Sequence, residues 1–155
     1  MAAEFVIGVI SDTHGLLRPE AVNALVGSNL ILHAGDVGGA DILRKLQGIA
    51  PVHAVRGNID IQAWASALPL ADVVEAQGKL LYVVHDLSTL DLDPRAAGFA
   101  AVISGHSHVP ASETRNGVLY FNPGSAGPRR FRLPISLGRL LIYQGELSFE
   151  FIRLA

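Results

Sequence analysis

Seven side chains able to bind a divalent cation fall in order along this chain, as Asp12-x-His14, Gly35-Asp36, Gly57-Asn58, His85 and Gly105-His106-x-His108. They mix imidazole nitrogens with carboxylate and amide oxygens, a donor set that suits manganese, iron, cobalt, nickel or zinc. Singly, each piece is ordinary: Asp12, Asp36 and Asn58 read as turn or cap residues, and the histidines as satisfied polar groups. A short motif counts only in its structural context, and here one context recurs, because every donor group closes a short apolar run. That repetition points to a dinuclear metal site.

The apolar runs are the elements that must position these donors. Phe5 to Ile10, Leu30 to Leu32 and Val52 to Val55 are short and partly β-branched, as expected of strands covered on both faces. Between them, Pro19 suits the first turn of a helix to about Val26, closed by Gly27, and Asp41 the first turn of one to about Gln47, closed by Gly48. Strand, helix, strand, helix, strand implies a parallel sheet with right-handed crossovers. Ligands of open α/β sheets gather beyond the carboxyl ends of parallel strands, which is where Asp12, Asp36 and Asn58 fall. His85 and His106 follow two later runs, Leu80 to Val84 and Phe99 to Ile103. Residues i and i+2 of an extended segment share a side, so Asp12 with His14 and His106 with His108 are expected to face one cavity. Glycines 35, 57 and 105 suit tight turns before a ligand.

The second half has a different rhythm. Val73 to Ala76 and Leu80 to Val84 flank Gln77-Gly78-Lys79, Ser112 to Arg115 and Val118 to Phe121 flank Asn116-Gly117, and Leu137 to Tyr143 and Leu147 to Ile152 flank Gln144-Gly145-Glu146. Three hairpins are expected, with a brief helical turn at Asp93 to Gly98.

Composition bounds the function. At 155 residues and 50% hydrophobic the chain is expected to form one domain over residues 1–155 with a two-layer core. A net charge of −2 leaves Arg129, Arg130 and Arg132 as the densest basic cluster, too little to track a duplex phosphate backbone. With no Cys there is no disulfide, thiolate metal site or Cys nucleophile. Phe5 to Ile10 is too short for a signal sequence, and no run approaches the roughly 18 apolar residues of a membrane helix, so a cytoplasmic, membrane-free protein is expected. A mean hydropathy of +0.36 raises the expectation of a homo-oligomer.

Taken with their order, these motifs resemble the calcineurin-like metallophosphoesterase superfamily, and within it the small single-domain phosphodiesterase branch of bacteria and archaea. The resemblance spans nearly the whole chain. It implies an α/β (α+β) fold of four αββα layers, a β-sandwich with helices on its outer faces. It also implies that Asp12, His14, Asp36 and His108 hold one metal and Asp36, Asn58, His85 and His106 the other, with Asp36 bridging and with Asp36, Asn58 and His85 at the catalytic centre. Manganese is the metal the resemblance favours. Two divalent ions carry four positive charges, and Asp12, Asp36 and a bridging hydroxide offset three, leaving about one unit to attract phosphate. Such a pair, roughly 3.5 to 4 Å apart, activates the bridging water and clamps phosphate oxygens during in-line displacement.

The chain departs from the wider superfamily after Asn58, where a proton-donating His is replaced by Ile59, which cannot transfer a proton. Asp60 could supply that function, or serve as a turn or cap residue. Asp86 stands where the small branch usually has Gly and could tune the metals or repel dianionic monoesters. The Asn122-Pro123-Gly124-Ser125 turn with Arg129 also resembles the branch. Arg56 could grip phosphate bidentately, and Arg129 could meet it too. His33 reads as a buried or supporting residue and His53 as a strand residue. Only 26 residues separate Asn58 from His85, and 20 separate His85 from His106. An open site without a specificity cap is therefore expected, acting on small phosphodiesters. The alternatives are a phosphomonoesterase, a nuclease, and a scaffold resembling the eukaryotic retromer subunit that shares the fold.

Overall fold

The structure, a computed structural model, describes residues 3–155. The chain runs β1 (Phe5–Ile10), α1 (Pro19–Leu25), β2 (Leu30–His33), α2 (Ala40–Gln47), β3 (Val52–Ala54), β4 (Ala71–Ala76), β5 (Lys79–Val84), β6 (Phe99–Ile103), β7 (Ala111–Arg115), β8 (Val118–Asn122), β9 (Ser136–Tyr143) and β10 (Glu146–Arg153), with 3-10 turns at Ala63–Ala67 and Leu87–Thr89. Two five-stranded sheets result, in the orders β10-β9-β1-β2-β3 and β4-β5-β6-β8-β7. β1, β2 and β3 are parallel, as their helical connections require, and so are β5, β6 and β8. The remaining pairings are antiparallel.

Alternation along the strands divides the apolar residues into layers. Ile7, Val9, Leu30 and Leu32 face Leu81, Val83, Ala101, Ile103 and Phe121 across the sandwich. Phe121 is 1% exposed, and burying a side chain of this kind contributes about 1.5–3 kcal/mol. Its ring stacks on Phe151 of β10 at 5.0 Å and lies over Gly138 of β9, where a Cβ would collide with it. On the outer side of the first sheet, Ile10, Ile31 and Leu137 receive Ala21 and Leu25 of α1 and Ile42 and Leu46 of α2. Gly8 lets α1 sit against β1, since a Cβ there would overlap the Leu25 side chain.

The sandwich with helical flanks is the expected architecture, but its cover is unequal. Both helices lie on the first sheet, whereas Tyr82, Val84, Val102, Val118 and Tyr120 on the outer face of the second receive Leu87 of the 3-10 turn. No described helix is long and apolar enough to cross a membrane.

All three expected hairpins form. Each turn has two residues, Gln77-Gly78, Asn116-Gly117 and Gln144-Gly145, with φ of 51° and 79°, 51° and 79°, and 50° and 79°. Positive φ at both positions is the type I′ geometry, whose twist matches that of the strands. Lys79 and Glu146, read from sequence as turn residues, are instead the first paired residues of β5 and β10. The helical turn at 93–98 forms as well, the Asp93 carboxylate accepting from the Arg95 amide at 3.1 Å. α2 ends at Gly48 with φ −68°, so no left-handed glycine closes it.

Candidate metal centre

The carboxyl ends of β1, β2, β3, β5 and β6 deliver the seven donors to one edge of the sandwich. Past the strand ends the loops stay in register. The Asp12 amide donates to Gly35 O at 3.0 Å, His14 to Asp36 O at 2.9 Å, and Gly105 to His85 O at 3.0 Å. Across the sheets, the His106 amide donates to Asp12 Oδ2 at 3.1 Å.

The donor segments are not extended. Asp12, His14, Asp36, His106 and His108 have φ of 56°, 48°, 55°, 71° and 63°, all left-handed. Asp12 with His14, and His106 with His108, do meet across one site, but because turns place both members in this region rather than because a strand alternates. A non-glycine residue there costs on the order of 1–2 kcal/mol, and such strain persists where the surroundings over-determine it. Here the cross-loop amide bonds hold it.

The donors gather in two clusters, Asp12 with His14 and His108, and Asp36 with His85 and His106, each with its donor atoms within 4.8 Å of one another. Asp36 Oδ2 lies 3.6 Å from His14 Nε2 and 3.3 Å from His85 Nε2, so it touches both clusters. Asn58 Oδ1 is 3.0 Å from His85 Nε2, and His108 Nε2 is 3.3 Å from Asp12 Oδ1. Asp12 Oδ1 and His14 Nε2 are buried with no hydrogen-bond partner. Orphaned buried acceptors are costly, and converging lone pairs repel unless a cation lies between them. The residues therefore fit divalent metal ions.

Charge balance agrees. Burial alone would raise the Asp12 carboxyl, but the His14 and Ser11 side chains and the charges of His85 and His108 hold it below the usual carboxylate value. Asp36 is lowered in the same way against burial, by His85, the Ile59 amide and His14. Burial would lower His85, but contact with Asp36 and the charge of Asp12 raise it. His108 is lowered by burial, assisted by Arg130 and His14. Acids that stay ionised are ready ligands, and a histidine binds a cation through a ring nitrogen that carries no proton.

A supporting shell orients several of the candidate ligands. The His85 Nδ1–H donates to Ala34 O at 2.7 Å, which turns Nε2 toward Asp36. Ser11 Oγ donates to Asp12 Oδ2 at 2.6 Å, leaving Oδ1 free. His33, fully buried and lowered by burial to about 4, accepts from the Gly35 amide at Nδ1 (3.1 Å) and donates from Nε2 to Thr13 Oγ1 (3.0 Å). Thr13 Oγ1 in turn donates to Val37 O at 2.7 Å, so His33 ties the Asp12–His14 loop to the loop of Asp36. From β8, Asn122 donates to Gly105 O at 2.9 Å, and Ser125 Oγ donates to Asp12 O at 3.1 Å.

Asp60 is 2% exposed, and its two oxygens accept the Val37, Gly38 and Gly57 amides at 3.1, 3.0 and 2.9 Å. Those amides brace Asp36 and Asn58. Ile59 contributes through its backbone, its amide donating to Asp36 Oδ1 at 3.0 Å. Arg56 lines a groove with Asn58, His85 and His106. Arg129 and Arg130 line a cleft of about 200 Å³ with His14 and His108, and Arg129 Nη1 donates to Leu133 O at 3.3 Å. Asp86 accepts the Ser88 amide and hydroxyl at 3.0 and 2.8 Å on Oδ1, and its Oδ2 stands 3.8 Å from His106 Nε2. His53 lies apart, 3.4 Å from Asp72 at the β3–β4 edge.

Sequence reasoning left Ser11, Thr13 and Asn122 without a role in orienting ligands. Ser11 and Thr13 flank Asp12 and carried no spacing signal of their own, while Asn122 sat inside a turn already noticed.

The profile of the calcineurin-like phosphoesterase superfamily domain matches residues 5–144. A probable metallophosphoesterase of Methanothermobacter thermautotrophicus (strain Delta H) is 36% identical, over 95% of this chain and 91% of that protein. Among solved structures, one described as a novel archaeal phosphodiesterase superposes with a TM-score of 0.79 at 22% identity, covering 97% of this chain and all of that one, 100%. Vacuolar protein sorting 29 of Cryptosporidium parvum gives 0.76 at 18% identity, with 98% of each chain covered. Strand-end donors, sandwich topology and relatives agree, and the chain belongs to the calcineurin-like phosphoesterase superfamily as a metallophosphoesterase.

Proposed function

We propose that the chain hydrolyses small phosphodiesters at a dinuclear centre held by Asp12, His14, Asp36, Asn58, His85, His106 and His108. The observation that carries this reading is Asp36 Oδ2 lying within reach of both three-donor clusters, which suits a bridging ligand. Manganese is the proposed metal, with iron, cobalt, nickel and zinc as the other ions that the donor set accepts. When bound, the two cations supply an activated water and a clamp for phosphate oxygens.

The residues divide the remaining work. Asp36 and Asn58 hold the pair in register, and His85, its Nδ1–H anchored on Ala34 O, presents Nε2 in a fixed direction. Arg56, partly buried beside Asn58, and Arg129, beside His14 and His108, are positioned to attract a phosphate anion. No side-chain acid stands at position 59, and Asp60 is spent on backbone amides. Leaving groups that depart without protonation, such as activated aryl oxides, are therefore favoured.

The test is manganese-dependent hydrolysis of bis-p-nitrophenyl phosphate by the wild type, Asp36→Ala and Asn58→Ala. Turnover in the wild type with a loss of about a hundredfold or more in both variants is expected. Turnover that survives both variants shows that the site is misassigned. A metal-loaded wild type that does not turn over favours the scaffold reading instead. The likeness to vacuolar protein sorting 29 and the exposure of Ile61 (83%) and Phe131 (88%) support that second reading.

A further inference from the structure

Two grooves open on the His85 and His106 side of the centre and meet at one partition. The first, about 240 Å³, runs over the end of β8 between Leu87, Ala111, Ser112 and Tyr120, with Arg115 at its far end. The second, about 270 Å³, lies between Arg56, Asn58, Leu70, Val84 and Thr89. Asp86 and His106 line both.

The partition is fixed. Ser88 donates twice to Asp86 Oδ1, and Thr89 Oγ1 donates to the Asp86 carbonyl at 2.7 Å. In the first groove the Arg115 guanidinium, paired with Glu113 at 2.9 Å, sits 4.6 Å from the centre of the Tyr120 ring. In the second, the apolar side chain of Leu70 is 64% exposed. Apolar walls on both sides of a polar centre call for a ligand with an organic group on each side of its charge.

We infer that the two grooves seat the two organic arms of one phosphodiester, with its phosphoryl group at the partition and a flat ring in the Tyr120 groove. This rests on the phosphoesterase reading and adds the substrate class to it: a monoanionic diester with two bulky, ring-bearing arms. A monoester fills one groove and leaves the other to water. The grooves are of nearly equal size, so neither arm need be small.

The test is calorimetric binding of dimethyl, methyl phenyl and diphenyl phosphate to the manganese-loaded protein. All three carry one negative charge and differ only in their arms. Affinity is expected to rise in two steps of about tenfold, one for each ring buried. Ser112→Trp, which fills the first groove, and Leu70→Trp, which fills the second, should each abolish one step, and the double variant both. Equal affinity for the three esters, or steps that survive the double variant, would overturn the proposal. The phosphoesterase reading is separable from it. A protein that hydrolyses bis-p-nitrophenyl phosphate but gains nothing from added rings loses the grooves alone, while one that binds in two steps without hydrolysis loses the activity alone.

Discussion

Gly57 and Asp36 approach so closely that no side chain fits between them: a Cβ on Gly57 would overlap Asp36 Oδ1 and the Asp36 amide nitrogen. The φ of Gly57 is not in the left-handed range, so contact alone excludes a larger residue. Gly57→Ala must displace the carboxylate shared by the two clusters. Manganese affinity is expected to fall at least tenfold, with a lower melting temperature in the metal-free protein. Calorimetry and thermal melts read both, and wild-type affinity in this variant would contradict the bridging role proposed for Asp36.

Asp60→Asn tests whether this carboxylate is a clamp or an acid. An amide in its place offers one acceptor where three backbone donors converge, and an unsatisfied buried donor costs about 1–3 kcal/mol. Denaturant unfolding should show a loss of that order. A clamp has no part in proton transfer, so the dependence of kcat/KM on leaving-group pKa across a series of aryl diesters should keep its slope. A steeper slope in the variant would make Asp60 the missing proton donor.

His33 makes the metal-free fold sensitive to acid. Its pKa is about 4 in the fold against the usual 6.5, so between those values the unfolded chain binds a proton that the folded chain refuses. Stability from this group is complete above about 6.5 and lost as pH falls toward 4, by roughly 3 kcal/mol in all. His33→Gln should flatten this part of the curve in urea unfolding of metal-free protein between pH 4 and 7. A variant as acid-sensitive as the wild type would place the titration elsewhere.

Asp86 sets a negative charge beside His106 at the partition between the grooves. It is held below the usual carboxylate value, first by the Ser88 hydroxyl, so it is ionised at neutral pH. Asp86→Asn should raise kcat/KM for dianionic p-nitrophenyl phosphate about threefold more than for bis-p-nitrophenyl phosphate, a modest effect because the pair is solvent-screened. High salt should erase the difference. An unchanged ratio at low salt would leave Asp86 as a cap of its 3-10 turn only.

The candidate donors could be picked out of the chain because each follows a strand, and strand ends are marked by apolar runs that stop at a polar residue. All seven donors do lie together, at the ends of β1, β2, β3, β5 and β6. The conformation of the donors was not legible. An Asp-x-His dyad looks the same whether its backbone is extended or left-handed, and the cross-loop amide bonds that hold Asp12 and His14 left-handed join residues more than twenty positions apart. Gly57 was visible as a glycine but not for its real constraint, which is the nearness of Asp36. Asp60 was ambiguous because its three amide partners lie on two different loops.

The donors come from both sheets, with Asp12, His14, Asp36 and Asn58 on one and His85, His106 and His108 on the other. Neither sheet can assemble the proposed centre before the sandwich has closed, so contacts to the proposed metals would form late in folding. Added manganese should then slow unfolding while leaving the refolding rate nearly unchanged, because a ligand that meets only the finished fold stabilises it without touching the transition state. Stopped-flow folding with and without manganese reads this directly, and refolding accelerated by the metal would show that part of the centre forms early.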